Sequence, residues 1–572
     1  MLTSLVWVVA AAAAVVVCYR VHARILLSRA KHPSLLGHAR LARRLARLLP
    51  AYSYDEQRFF SSDSAPGDVS HRRRTAFAVL SRRLAARAPK TTEATARLAP
   101  LMSDLQFTSA YRVPFPYRDL VARHLGVGSV LRASNGVLLS NLDDSWDYDL
   151  SGSYGVNLFG YDFYKECIDR GVEHARSLGP VLGAYHPLID DNVRRLVAIS
   201  GLDEVSFHMS GTEAIMQAVR LARFHTQRSH LVRFCGAYHG WWDDVQPGIG
   251  NPAIVHATYT LKEMDGRTLR VLESRRDIAC VLVNPVQALH PNAGAPADST
   301  LVDSSRTASV DRPAYAGWLK ALRDVCSRRG IVLIFDEVFL GFRLAIGGAQ
   351  EYFGVRADLV TYGKTVGGGL PIGVLCGTAR YMKRFRQDRP SDFSFARGTF
   401  NSHPYVMGAM HEFLRRLDEP AIRDAYAGLD ETWNARASDL NERLAREQLP
   451  IRVANMVSVW TVLYEIPSRY NWMLQYYLRA EGLYLSWIGT GRLIFSHNYT
   501  DADVAAVSDR VVAAARAMRD AGWWWQSTSV TNRAIRRQML RESALAWLAA
   551  SAPRDHAASS DTIGSKSSPR MT

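Results

Sequence analysis

The chain opens on a run without a charge. Residues Leu2–Tyr19 read LTSLVWVVAAAAAVVVCY and are followed at once by Arg20. That length approaches the ~20 apolar residues needed to cross the hydrocarbon core of a bilayer, which predicts a transmembrane anchor over 1–19. From Arg20 to Pro50 the pattern turns basic: eight Arg or Lys residues (20, 24, 29, 31, 40, 43, 44, 47), no acid, and interspersed leucines. Residues 20–100, broken by SSDSAPGD, are expected to form a basic helical linker. Globular patterning begins near Leu101, with an N-terminal segment over 101–190. Residues 191–410 then alternate short apolar runs with segments of helical period such as EAIMQAVRLARFH. The runs VSFHM (205–209), LVRF (231–234), ACVLV (279–283), IVLIF (331–335), DLVTY (358–362) and GVLCG (373–377) suit strands buried on both faces of a mostly parallel sheet. The expected class is α/β: a large domain over 191–410 and a small α+β C-terminal domain over 411–525. A Pro/Ser-rich surface loop is expected near 290–312. Residues 526–572 are expected to start as helix and to end, beyond 553, as a disordered Ser-rich tail.

Composition sharpens this picture in three places. A hydrophobic share of 48% fits a globular chain with a large core. The six cysteines (18, 167, 235, 280, 326, 376) form no CxxC pair, which argues against a metal ribbon or disulfide framework and fits a reducing compartment. The net charge of +16 is concentrated after the apolar run. A cleaved signal peptide is the alternative to an anchor, but signal peptides carry their positive charge before the apolar stretch. Basic flanks stay on the cytoplasmic side, so a single-pass anchor would leave the catalytic bulk cytoplasmic. The Arg-rich helix after the anchor could rest on anionic headgroups or be a solvated connector; nucleic-acid binding is the weakest reading.

Four features carry candidate chemistry, each at the end of an expected strand, where open α/β sheets bind ligands. Ser210-Gly211-Thr212-Glu213-Ala214 opens a helix with free N–H groups, a seat for phosphate or simply an N-cap. Tyr238-His239-Gly240 places an aromatic on a loop, free to stack on a planar heterocycle or merely to pack. Asp336 closes a fully apolar strand and needs a cationic partner: a protonated pyridine nitrogen, an arginine, or a metal in a Walker-B-like site. The nucleotide-binding reading fails, because Asp358 stands where a phosphate-binding loop ending in Gly363-Lys364-Thr365 requires glycine. Lys364 itself is followed by Gly367-Gly368-Gly369. Lysine forms Schiff bases with aldehydes once its amine is desolvated, and glycines allow close approach to a bound ring.

Taken together, SGTEA with AVRLAR, LIFDEVFLGFR, GKTVGGGLPIGVLCG and GTFNSHP stand in the order and approximate spacing of a known family. The chain resembles class III, fold-type-I pyridoxal-phosphate enzymes from about Val130 to Val511, most closely glutamate-1-semialdehyde aminomutases. EGLYLSW and FSHNYTDADV resemble the C-terminal domain of those aminomutases. The resemblance implies pyridoxal 5'-phosphate as cofactor, Lys364 as Schiff-base lysine and Asp336 on the pyridine nitrogen. It further implies Val338 and Tyr238 on the two ring faces, and Gly211 and Thr212 at the phosphate. Thr399 would reach the phosphate from a neighbouring subunit, hence a homodimer. Ser153 and Tyr154 would stand at the substrate entrance; Arg112 could bind a substrate carboxylate or be structural. Two departures matter: Asn284 replaces the family's Glu before Pro-Val, and His403 replaces its Asn before Pro404. The expected activity is amino-group transfer, by transaminase or aminomutase, between small amines and carbonyls. The anchor hints at a lipophilic or carrier-bound substrate. The alternative is a membrane-tethered interaction module that keeps the fold without turnover.

Overall fold

A computed structural model describes residues 2–34, 38–246, 250, 257–292, 304–305, 307–485 and 491–551. The expected tail beyond 553, most of the loop expected over 290–312, and Ser486-Trp487 of EGLYLSW lie outside the described residues.

The centre is a seven-stranded sheet: β1 Glu204–His208, β2 His230–Phe234, β3 Thr258–Leu261, β4 Ile278–Val283, β5 Val332–Asp336, β6 Leu359–Gly363 and β7 Gly373–Gly377. Their spatial order is β1-β7-β6-β5-β4-β2-β3. All neighbours run parallel except β7, which is antiparallel to both β1 and β6, so the sheet is mixed. β4 shows why apolar runs without alternation were legible as strands. Every residue in it is buried; Val281 and Val283 enter one core, and Ala279 and Leu282 the other, on the opposite face. Six of the seven strands match the expected runs to within a residue at either end. β3 (TYTL) was not expected, because four residues with three hydroxyls give too weak a signal.

Two smaller sheets flank it. One joins Leu131–Asn135, Leu138–Asn141, Trp146–Asp149 and the distant Leu483–Tyr484; the other joins Ile451–Met456, Val459–Tyr464 and Arg492–Ile494.

The expected linker over 20–100 is not a connector. The first helix runs unbroken over Leu2–Ala30. Helices Glu56–Ser61, Gly67–Arg87 and Pro89–Leu98 follow. Arg73, fully buried, donates to both oxygens of Asp63 at 2.8 and 2.7 Å, to the Phe60 carbonyl at 2.9 Å and to the Gly522 carbonyl at 2.9 Å. A second clasp ties this segment to the helix Asn532–Ser551, where Glu542 accepts from Arg58, Arg469 and Tyr54. After the cost of burial, those donors hold its carboxyl down at about 2. Most arginines of this segment are solvated, as the composition suggests, but Arg73 is an interior cross-link and Arg58 reaches a partly buried clasp.

Candidate active site

Four loops at the carboxyl ends of the strands converge, as an α/β sheet dictates. β1 leads into the helix Gly211–Thr226, whose N-cap Ser210 accepts from the Glu213 N–H at 3.3 Å. The cap leaves N–H groups at Gly211 and Thr212 facing outward at the positive end of the helix. β2 leads to Tyr238, His239 and Gly240. A Cβ on Gly240, whose φ is +90°, would lie 2.3 Å from the Thr212 hydroxyl oxygen, so only glycine brings this loop against the helix start. A Cβ on Gly211 would likewise lie 2.7 Å from a methyl of Val338.

β5 ends in Asp336, which is 3% exposed. Its Oδ2 lies 2.7 Å from Nδ1 of His239, and its Oδ1 accepts from the Val338 N–H at 3.1 Å. Burial pushes the imidazole of His239 down from its ordinary value, against the pull of Asp336; with its proton on Nδ1 the ring donates to the carboxylate. In the sequence His239 stands out only as the neighbour of Tyr238, in a His-Gly pair after an aromatic. Glu337 points the other way, buried, pushed up to about 8 by desolvation, and accepts from the N–H groups of Ala349 and Gln350.

β6 leads directly into Lys364, a residue with φ +51°. A left-handed, non-glycine backbone costs about 1 kcal/mol or more, and here it turns the chain into the 3₁₀ segment Lys364–Gly367. Burial lowers the affinity of the amine for its proton; Asp336 opposes this and Arg343 reinforces it. The lysine Nζ lies 5.7 Å from the ring centre of Phe339, and the Arg343 guanidinium carbon lies 5.6 Å from that same ring. Arg343, fully buried, donates to Ser458 Oγ at 2.8 Å, to the Phe495 carbonyl at 2.6 Å and to the Asn157 carbonyl at 3.3 Å. The sequence contained Arg343 in LIFDEVFLGFR but gave no sign of this bonding.

The glycines after the lysine meet neighbouring elements of the chain. A Cβ on Gly368 would lie 2.2 Å from the carbonyl of Ala409, and one on Gly369 would lie 3.1 Å from Ile168, so this run fits the turn against helices Pro404–Arg416 and Tyr161–Ala175. The glycine that approaches the lysine is Gly155, where a Cβ would sit 2.5 Å from Phe339 and 3.3 Å from Lys364 Cδ. It closes a loop in which Gly152, Ser153, Tyr154 and Gly155 all have positive φ. The loop is braced by Ser153 Oγ to Tyr161 OH at 2.7 Å and by Tyr161 OH donating to Asp149 at 2.7 Å.

The departures acquire a structural meaning. Asn284 donates from its amide to the Tyr238 carbonyl at 3.1 Å, a bond a carboxylate cannot give, and accepts from the Val286 N–H at 3.3 Å. His403 caps the helix Pro404–Arg416, its Nδ1 accepting from the Tyr405 N–H at 3.3 Å. Tyr238 is 60% exposed. Thr399 is exposed on this chain, next to the exposed Phe400. Arg112 is buried beside Arg479; the two share with Tyr484 the lining of a cavity of about 60 Å³. Burial and the neighbouring Arg112 push Arg479 down to about 9.

This residue set fits pyridoxal phosphate: an outward helix N-terminus, a histidine-supported carboxylate, a desolvated lysine, and glycines where any Cβ would collide. The fold and site are those of a fold-type-I pyridoxal-phosphate enzyme. Residues 126–514 match the family model of the class-III aminotransferases, and the chain belongs to that family. It is 32% identical over 418 residues to a glutamate-1-semialdehyde 2,1-aminomutase of Nitratidesulfovibrio vulgaris (strain DP4), covering 69% of this chain and 95% of that one. Among solved structures, a transaminase with PLP bound superposes with a TM-score of 0.59 at 26% identity, covering 76% of this chain and 98% of its own. A variant glutamate-1-semialdehyde aminomutase of Pseudomonas aeruginosa PAO1 in complex with PMP shares the fold, with a TM-score of 0.60 at 18% identity, covering 78% and 98%. The chain is therefore an enzyme of pyridoxal-phosphate-dependent amino-group transfer, and the alternative of a fold kept without turnover is not favoured.

Proposed function

We propose that the enzyme moves an amino group between a small amine and a carbonyl compound, with Lys364 as the catalytic base and Asp336 as the partner of the cofactor's ring nitrogen. The observation that carries this reading is the pairing at the ends of adjacent strands. A buried lysine sits within the field of a buried carboxylate that a histidine holds in place. When bound, pyridoxal phosphate supplies an aldehyde that condenses with amines and a ring that absorbs the electrons of a carbanion.

The chain's own residues do the rest. Asp336 keeps its charge directed at the ring nitrogen. Val338 and Tyr238 supply the two faces, with Asn284 fixing the Tyr238 loop. The N–H groups of Gly211 and Thr212 receive the phosphate. The Lys364 amine, whose hold on its proton burial weakens, would take a proton from the substrate carbon that bears the amino group and return it to the carbon on the far side of that nitrogen. Ser153 and Tyr154 stand at the entrance. The paired guanidiniums of Arg112 and Arg479 favour a substrate that brings a carboxylate, as amino acids do. Thr399 completes the phosphate site across a homodimer interface, in keeping with its exposure here beside Phe393, Phe395 and Phe400. The likeness to aminomutases supports return of the amino group to the same molecule; the likeness to transaminases supports a second substrate. The small C-terminal α+β domain over 411–525 closes over the site.

The helix Leu2–Ala30 is, among the described residues, the one long and apolar enough to cross a membrane. We read it as a single-pass anchor that leaves the catalytic part cytoplasmic, since its basic residues all follow the apolar run.

The test is a half-reaction. Cofactor-loaded protein is mixed with candidate amines while the near-ultraviolet and visible absorbance is followed. A band should form on adding cofactor, shift with a productive amine, and be absent in Lys364→Ala. A wild-type protein that gains no band sinks the proposal.

A further inference from the structure

The helix Leu2–Ala30 has two unlike halves. Apolar residues such as Leu5, Trp7 and Val15 are exposed, Trp7 to 75%. The second half lies along the helix Gly266–Ser274, with Leu26 and Leu27 packed on the core and Ala30 fully buried. Its ends are pinned at opposite edges of the central sheet. At the lower end, the Tyr19 hydroxyl donates to the Ser274 carbonyl at 3.2 Å, close to Ile278, where β4 begins. At the upper end, the Lys262 N–H donates to the Ala30 carbonyl at 3.0 Å, and Lys31 bridges Leu261, the last residue of β3. Ser34 Oγ then lies 3.5 Å from the sulfur of Cys235, in the loop that leads from β2 to Tyr238. The helix therefore rises from the amino-terminal edge of the sheet to the carboxyl-terminal edge, where Lys364 and Asp336 stand.

Length removes any slack. At 1.5 Å per residue, Leu2–Tyr19 spans about 27 Å, against about 30 Å of hydrocarbon. A bilayer holding that segment meets the domain at the level of Ser274. Arg20 and Arg276 are exposed there, while Arg275 is engaged by Asp277. A strand of five residues places the catalytic groups about 17 Å further from the lipid.

Resting on the anchor reading above, we infer that the sheet's amino-terminal edge around Ser274–Asp277 is the docking face for anionic lipid headgroups. The catalytic lysine stands at the far, aqueous edge. The helix is a rigid stem, not a tether, so the substrates arrive from water, free or on a soluble carrier, and do not slide in from the bilayer.

The test uses the full chain with Cys18→Ser, which removes an exposed thiol, and a fluorophore on either Arg276→Cys or Arg267→Cys. These positions straddle one helix, about 13 Å apart along its axis. Each protein, checked for an unchanged cofactor band, is reconstituted into phosphatidylcholine–phosphatidylserine vesicles carrying headgroup spin labels. Emission at position 276 should fall severalfold more than at 267, and a water-soluble amine added outside should react as fast as with detergent-solubilised enzyme. Equal or reversed quenching in protein that floats with the vesicles overturns the docking face and leaves the anchor standing. A half-reaction that proceeds only with lipid-borne amine overturns the substrate assignment. Protein that alkaline carbonate strips from the vesicles overturns the anchor, and this inference with it.

Discussion

His239→Ala is the most informative change at the site. The imidazole touches no substrate in the proposed arrangement; its Nδ1–H serves Asp336 Oδ2 at 2.7 Å, and both groups are almost inaccessible, at 2% and 3% exposure. A hydrogen bond to a charged group contributes about 1.5–3 kcal/mol, and leaving the buried acceptor unserved costs at least that. Asp336 keeps the Val338 N–H as a donor, but the carboxylate is held less well against the ring nitrogen. With a factor of ten per 1.4 kcal/mol, cofactor affinity should fall about 10- to 150-fold. Titration of apoprotein with pyridoxal phosphate, followed by absorbance and tryptophan emission, measures this directly. His239→Asn, whose amide nitrogen can stand near the lost Nδ1, should recover most of the loss, which simple damage to the loop would not allow. Affinity within twofold of wild type in a folded His239→Ala protein would refute the claim that the carboxylate needs this donor.

Two further outcomes concern the frame around the site. Arg73→Ala strands Asp63 in the interior without its bidentate partner, a change worth about 3–5 kcal/mol; the urea midpoint should drop accordingly, whereas a midpoint equal to wild type would mean that the segment before residue 100 adds nothing to the fold. Glu263 is buried with one oxygen unpartnered, and desolvation pushes its carboxyl up to about 8. A raised folded value means stability that is fully present below the unfolded value of 4.5 and lost as pH rises through 8. Glu263→Gln keeps the bond from Tyr315 and removes the titration, so its urea midpoint should decline less over that window; parallel pH profiles would rule the linkage out.

Some of the site was legible because its chemistry is local. Lys364, Asp336 and the Gly211-Thr212 turn each end a strand whose apolar run is visible in one dimension, and the family motifs fix their order. What stayed hidden involves long-range partners. His239 gains meaning only when residue 336 comes within hydrogen-bond reach. Arg343 bonds residues more than a hundred positions away in either direction. Asn284 looked like a lost charge and is a donor to the Tyr238 loop. In the Gly367–Gly369 run, Gly368 and Gly369 receive helices, because a missing Cβ says that something comes close without saying what.

The sequence alone determined the class of fold, the family motifs around Lys364 and the apolar stretch at the start, since each rests on residue type and spacing within some dozens of positions. Only the tertiary structure decided that Gly373–Gly377 runs against its neighbours, that Arg73 of the arginine-rich segment is an interior cross-link, and that the first helix is pinned beside the edge strand of the sheet. The physical reason is the same in each case. Strand direction, ion pairing and helix docking are set by which distant surfaces exclude water together, and that choice is made by the whole chain at once.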